Sequence, residues 1–178
     1  SDTYALARLV ARLDHKDVDG FLISPPAYVR PSQQGIVMHY KSLAAVTGRP
    51  IVLYDIPART GVTLDITTVT ALAADSQFVA IKKCGGDPLQ ITELLCQTSL
   101  KVLSGDDASL FDILCQGGHG AIAASAHIRP DLFVRIFELM QTGQIDEARK
   151  LFNALLPLIR LMFSEPNPGP VKAALALQ

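Results

Sequence analysis

Five short apolar runs, separated by helical stretches, constrain this chain more than any other feature. They are residues 20–25 (GFLISP), 50–56 (PIVLYDI), 78–84 (FVAIKKC), 101–104 (KVLS) and 121–125 (AIAAS). Each is nearly continuous in hydrophobicity, as expected of strands buried on both faces of a parallel sheet. Residues 3–16, 34–47, 65–75, 87–98, 107–116 and 130–142 carry helical periodicity, so the βα unit repeats every 20 to 30 residues or so. Asp87-Pro88 and Arg129-Pro130 are start signals, with proline in the first helical turn. After the fifth run, residues 144–163 and 168–177 read as helix after helix.

Alternating β and α elements allow an open doubly wound sheet or a closed barrel. A doubly wound nucleotide binder should carry a glycine-rich turn straight after its first strand, and GFLISPPAYVR has none. Polar residues gather instead after successive strands: Ser24 and Tyr28, Tyr54 and Arg59, Lys82, and Gly105 to Asp107. In a (β/α)8 barrel those ends form one mouth, where the catalytic groups sit. The expectation is therefore α/β, a partial (β/α)8 barrel of about five βα units plus C-terminal helices. Residues 1–142 read as barrel and 143–178 as the start of a helical region. A closed barrel has eight strands and ~250 residues, so three βα units are expected upstream.

Composition narrows the function classes. A chain of 178 residues that is 49% apolar and 19% charged supports a packed core. A net charge of -1 gives no electrostatic reason for nucleic acid or an anionic membrane surface as partner. No apolar run approaches the ~20 residues of a membrane-spanning helix, and SDTYALARLVARLDH has no signal-peptide core, so a cytoplasmic location is expected. Cys84, Cys96 and Cys115 are odd in number and lack a CxxC pair, which points to reduced, small, buried side chains.

Lys82 is the most informative residue. Alternation along Val79-Ala80-Ile81-Lys82-Lys83-Cys84 places one of the two lysines on the inner wall of the barrel. Desolvation and neighbouring positive charge there are expected to lower an amine's pKa, the condition for Schiff-base chemistry on a ketone. The competing reading puts both lysines just past the strand, in solvent or paired with Asp87. Tyr54, at the end of PIVLYDI, is placed to pass protons, or else to plug the core with its hydroxyl on backbone. Arg59, on the Pro57-Ala58-Arg59-Thr60-Gly61 turn, suits a two-point grip on a carboxylate, or else is solvated. Gly117-Gly118-His119-Gly120 precedes the fifth run and reads as a tight αβ turn, not a phosphate loop. The four histidines lack metal-ligand spacing, and Asp106-Asp107 reads as a helix cap. No metal and no cofactor are implied.

Taken in order, PPAYVRPSQQG (25–35), LYDIPARTG (53–61), AIKKCGG (80–86), LSGDD (103–107), GGHGAIA (117–123) and EPNPGPVK (165–172) resemble the dihydrodipicolinate synthase/N-acetylneuraminate lyase family. The resemblance spans almost the whole chain, as the C-terminal part of a family member, and Arg59 with the GDD stretch favours its synthase branch. It implies a pyruvate-dependent class I aldolase or lyase in lysine biosynthesis, with Lys82 forming the imine with pyruvate. Tyr54 would relay protons, and Tyr28 would reach across a dimer interface into the neighbouring site. Arg59 would bind the carboxylate of the incoming aldehyde, Ile122 would present its backbone carbonyl to the pyruvate pocket, and Gly105 would line that pocket. The implied partners are pyruvate, a small aldehyde such as aspartate semialdehyde, and further copies of the chain in a dimer or tetramer. Against the family pattern, no Thr-Thr-Gly-Glu segment is present. Lys83 stands for the usual Glu, Cys84 for Ala and Asp55 for Asn, which leaves the acceptor open. Ala27, at a position often Tyr in lysine-inhibited members, argues against lysine feedback. The alternatives are a related aldolase or dehydratase with another acceptor, and an inactive barrel fragment.

Overall fold

β-Branched and aromatic residues concentrate in the runs ending at Asp55 and Lys83, and these become the longest strands of the sheet. The computed structural model describes residues 2–178. Its sheet contains β1 (Phe21–Ile23), β2 (Ile51–Asp55), β3 (Phe78–Lys83) and β4 (Lys101–Ser104), in the spatial order β1-β2-β3-β4. β1 pairs with β2 and β2 with β3, both in parallel. The order never reverses, so the sheet advances one strand per βα unit, as a barrel wall does and a doubly wound sheet does not.

The chain forms two compact units, one running to Leu103 and one spanning Ser104–Gln178. In the first, α1 (Thr3–Leu13), α2 (Gln33–Ala44), a single turn α3 (Pro57–Thr60), α4 (Ile66–Ala73) and α5 (Pro88–Gln97) accompany the strands. Side chains start several of them: Asp2 accepts from the Tyr4 amide, Ser32 from Gly35, and Asp87 from Leu89 with Pro88 at the first helical position. Ile36, Tyr40 and Leu43 of α2 bury against a core that includes Ile23, Leu53, Leu72 and Ile81. The Tyr40 hydroxyl donates to the Ile23 carbonyl at 2.8 Å, and burial pushes it well above the usual phenol range. One side-chain amide, that of Gln77, donates to the carbonyls of Thr47 and Arg49 at 2.7 and 3.0 Å, closing the turn between α2 and β2.

The second unit holds α6 (Leu110–Cys115), α7 (Pro130–Gln141), α8 (Ile145–Met162) and α9 (Gly169–Leu175). Its core packs Leu110, Phe111 and Leu114 against Phe133, Ile136 and Leu139 and against Phe152, Leu155 and Ile159. Phe111 and Phe152 stack at 5.7 Å.

Three expectations are corrected here. The fifth strand, 121–125, contracts to one parallel bridge between Ser104 and Ala121, followed by a 3-10 turn at Ser125–His127. The cause is Asp107, whose buried carboxylate accepts from the amides of Ala124 at 3.0 Å and Ser125 at 2.6 Å and turns the backbone off the strand path. By the same token Asp107 does not cap the helix it opens. Of the three cysteines only Cys84 is buried; Cys96 and Cys115 lie on exposed helix positions. The GGHG stretch is the αβ turn the sequence indicates. Gly117 has φ +96°, and a Cβ on Gly118 would come within 2.8 Å of the Ile113 carbonyl oxygen.

Candidate active site

Parallel register sets the site. Tyr54 lies opposite Lys82 and Asp55 opposite Lys83 at the C-terminal ends of β2 and β3. Side chains alternate faces along a strand, so each pair occupies its own face. Lys82 is 9% exposed and Lys83 only 2%. Both belong to β3, which excludes the reading that put them beyond the strand in solvent or beside Asp87.

On one face the Lys82 ammonium donates to the Tyr54 hydroxyl at 3.3 Å and stands 4.3 Å from the ring centroid. The Tyr54 hydroxyl thus contacts a buried amine, and the reading of Tyr54 as a plug satisfied by backbone alone does not hold. Among the described residues Lys82 forms no salt bridge. An amine without a carboxylate partner, beside a phenol, can act as a nucleophile with a proton donor and acceptor at hand.

On the other face Lys83 makes a buried ion pair with Asp55, both side chains being 1% exposed. Asp55 also accepts from the Thr63 hydroxyl at 3.1 Å and from the Leu64 amide at 3.2 Å. Sequence reasoning named Asp55 and Lys83 only as separate departures from the family pattern. Nothing local pairs residues 28 positions apart; only the register does.

Arg59 sits on α3, directly after β2, and is exposed to solvent. Gly61 ends α3 with φ +77°, and the Arg30 side chain lies over it, so a Cβ there would come within 2.7 Å of Arg30 Nε. Tyr28 is 92% exposed and holds φ 74°, while Arg30 holds φ 45°. Left-handed backbone at residues other than glycine costs on the order of 1–3 kcal/mol and persists where surrounding structure enforces it. Lys82, Tyr54, Arg59 and Tyr28 therefore all belong to the first unit. Gly105 and Ile122 belong to the second, where the Ser104 carbonyl accepts from the Ile122 amide at 2.9 Å and Gly105 follows directly.

Residues 4–178 match the model of the dihydrodipicolinate synthetase family. The chain belongs to that family. The 4-hydroxy-tetrahydrodipicolinate synthase of Syntrophobacter fumaroxidans is 40% identical over 99% of this chain and 62% of its own length. The dihydrodipicolinate synthase of Thermotoga maritima superposes with a TM-score of 0.95 at 34% identity, over 99% of this chain and 62% of that one. The chloride-inhibited dihydrodipicolinate synthase of Acinetobacter baumannii, solved with pyruvate, superposes with a TM-score of 0.93 at 30% identity, over 99% and 61%. The chain thus spans about three-fifths of the length of these dihydrodipicolinate synthetase relatives. Its fold is that of the family, α/β with a parallel sheet, a partial (β/α)8 barrel with additional helices. Among the described residues no helix is long and apolar enough to cross a membrane.

Proposed function

We propose that this chain is the imine-forming part of a 4-hydroxy-tetrahydrodipicolinate synthase, a lyase condensing pyruvate with aspartate semialdehyde in lysine biosynthesis. One observation carries the reading: the buried Lys82 amine, free of any carboxylate partner among the described residues, in hydrogen-bond contact with Tyr54. Family membership and a relative solved with pyruvate support it.

In this scheme the Lys82 nitrogen attacks the C2 carbonyl of pyruvate, and water leaves as the imine forms. The imine acidifies the methyl carbon; loss of a proton gives an enamine, whose carbon attacks the aldehyde carbonyl. The new alkoxide takes a proton, and the product cyclises as Lys82 is released. Tyr54 passes protons at the imine, with Tyr28 of a neighbouring subunit completing the relay. Arg59 receives the aldehyde's carboxylate, and Ile122 and Gly105 keep the pyruvate-binding roles that the resemblance implies. The same reading takes residues 1–142 as barrel, 143–178 as the start of a helical region, and the working protein as a cytoplasmic dimer or tetramer.

The test is reductive trapping. Full-length protein incubated with pyruvate and borohydride should gain one reduced pyruvyl group on the peptide carrying Lys82. Trapping followed by no turnover with aspartate semialdehyde would turn the reading to a related aldolase with another acceptor. A label on Lys83, or none, would sink it.

A further inference from the structure

We infer that Asp55 and Lys83 are positioning residues: their buried ion pair orients the Tyr54–Lys82 pair and fixes the turn bearing Arg59. The inference rests on the imine reading of Lys82 for its functional consequence, but its structural basis is separate. Tyr54 and Lys82 occupy the register position directly before Asp55 and Lys83. The Cys84 amide then donates to the Asp55 carbonyl at 2.9 Å, so backbone and side-chain ties close the strand ends on both sides of the pair. A slip or splay at this point would move the Lys82 nitrogen relative to the Tyr54 hydroxyl.

The pair also reaches the loop. Residues 56–64 leave β2, carry α3 and return to the C-terminal end of β2, where Asp55 holds the Thr63 hydroxyl and the Leu64 amide. The Lys83 amine contacts Thr63 Oγ1 at 3.5 Å, and Gln90 of α5 reaches the Leu64 carbonyl at 3.5 Å. Gly86 wraps the other side with φ +97°; a Cβ there would lie 3.1 Å from Lys83 Nζ. The carboxylate therefore pins both ends of the Arg59-bearing loop, its start through the strand and its finish through two hydrogen bonds. Salt bridges buried to this extent contribute little net stability against an apolar pair of similar size. The role assigned to this pair is the fixing of register and loop.

The test uses full-length protein carrying Asp55→Leu with Lys83→Met, which removes both charges together, and Asp55→Asn with Lys83→Glu, which restores a polar tie as an amide–carboxylate pair. Two quantities are read well below each variant's melting temperature: the rate of borohydride-trapped imine at Lys82, and amide hydrogen exchange across residues 56–64 and 80–84. The apolar pair should slow trapping about 10- to 100-fold, since misplacement by about 1 Å carries that cost. It should also speed exchange at Leu64, and the amide–carboxylate pair should restore most of both. Wild-type trapping in the folded apolar variant overturns the proposal. If that variant does not fold, Asp55→Asn with Lys83→Met, which removes both charges while the side-chain oxygen at position 55 still accepts from Thr63 and Leu64, decides by the same rate. If wild-type protein traps no pyruvate, the imine reading fails on its own. Positioning then stands on accelerated exchange at residues 62–64 in the variants and falls if exchange is unchanged.

Discussion

The two faces of the β2–β3 ends carry the same residue type and opposite surroundings. On one, Lys82 meets a phenol and no carboxylate among the described residues; on the other, Lys83 meets a carboxylate that is itself held by a hydroxyl and an amide. Both lysines are buried, so burial alone does not separate the amine proposed to form the imine from the ion-paired one. The partner does. Lys83 is held in place by Asp55, whereas Lys82 faces a hydroxyl, a group that can take or give a proton.

The sharpest way to break this comparison is to truncate each lysine in turn. Lys82→Ala should abolish the pyruvate adduct and leave thermal stability nearly intact, because no buried charge loses its partner. Lys83→Ala should do the reverse. The adduct persists at Lys82, formed more slowly, while stability falls by about 3–5 kcal/mol as Asp55 is left buried without its countercharge. Mass spectrometry of the trapped protein and denaturant unfolding give the two readouts. Matching losses of adduct and of stability in both variants would erase the distinction between the faces.

Tyr54→Phe sharpens the same contrast from the other strand. It removes one hydroxyl from the Lys82 face and no tie from the Asp55 face. A positioned proton carrier contributes about 10²- to 10⁴-fold, so kcat should fall at least about 100-fold with the melting temperature almost unchanged. A drop in stability with turnover preserved would make Tyr54 a packing residue after all.

Much of this was legible in the sequence, and the gaps have physical causes. β1 to β4 stood out because their runs are apolar on both faces, and α5 and α7 because Asp87-Pro88 and Arg129-Pro130 mark their first turns. The run AIAAS looked like a fifth strand by hydrophobicity, but it lacks the bulk that holds a strand in place, and Asp107, seventeen positions before Ala124, bends it away. That carboxylate read as a cap because its nearest amides in sequence are those of its own helix. Lys82 was legible as one of two candidates, yet assigning the faces required the register. That register contains an irregularity between Ile51 and Val52, which no count of residues reveals. The Asp55–Lys83 pair was hidden for the same reason. Cys96 was misjudged from residue type, although Ile91 and Leu94 already mark the buried side of α5.

Arg59 gives the smallest effect, and it tests whether the loop pinned by the Asp55 face serves the Lys82 face. Its guanidinium is exposed and makes no ion pair among the described residues, so it is available to a ligand and contributes nothing measurable to folding. A charge-assisted hydrogen bond to a substrate carboxylate is worth about 1.5–3 kcal/mol. The solvent exposure of Arg59 argues for the lower end, about 10-fold in kcat/KM. Arg59→Ala should therefore cost about 10-fold with aspartate semialdehyde, and almost nothing with an aldehyde that lacks a carboxylate. Imine formation at Lys82 and the melting temperature should both stay at wild-type values, since the Thr63 and Leu64 ties to Asp55 do not involve this side chain. Equal losses with the two aldehydes would mean that Arg59 acts on the loop and not on the acceptor. The two faces would then be joined through the backbone of residues 56–64 and not through a ligand.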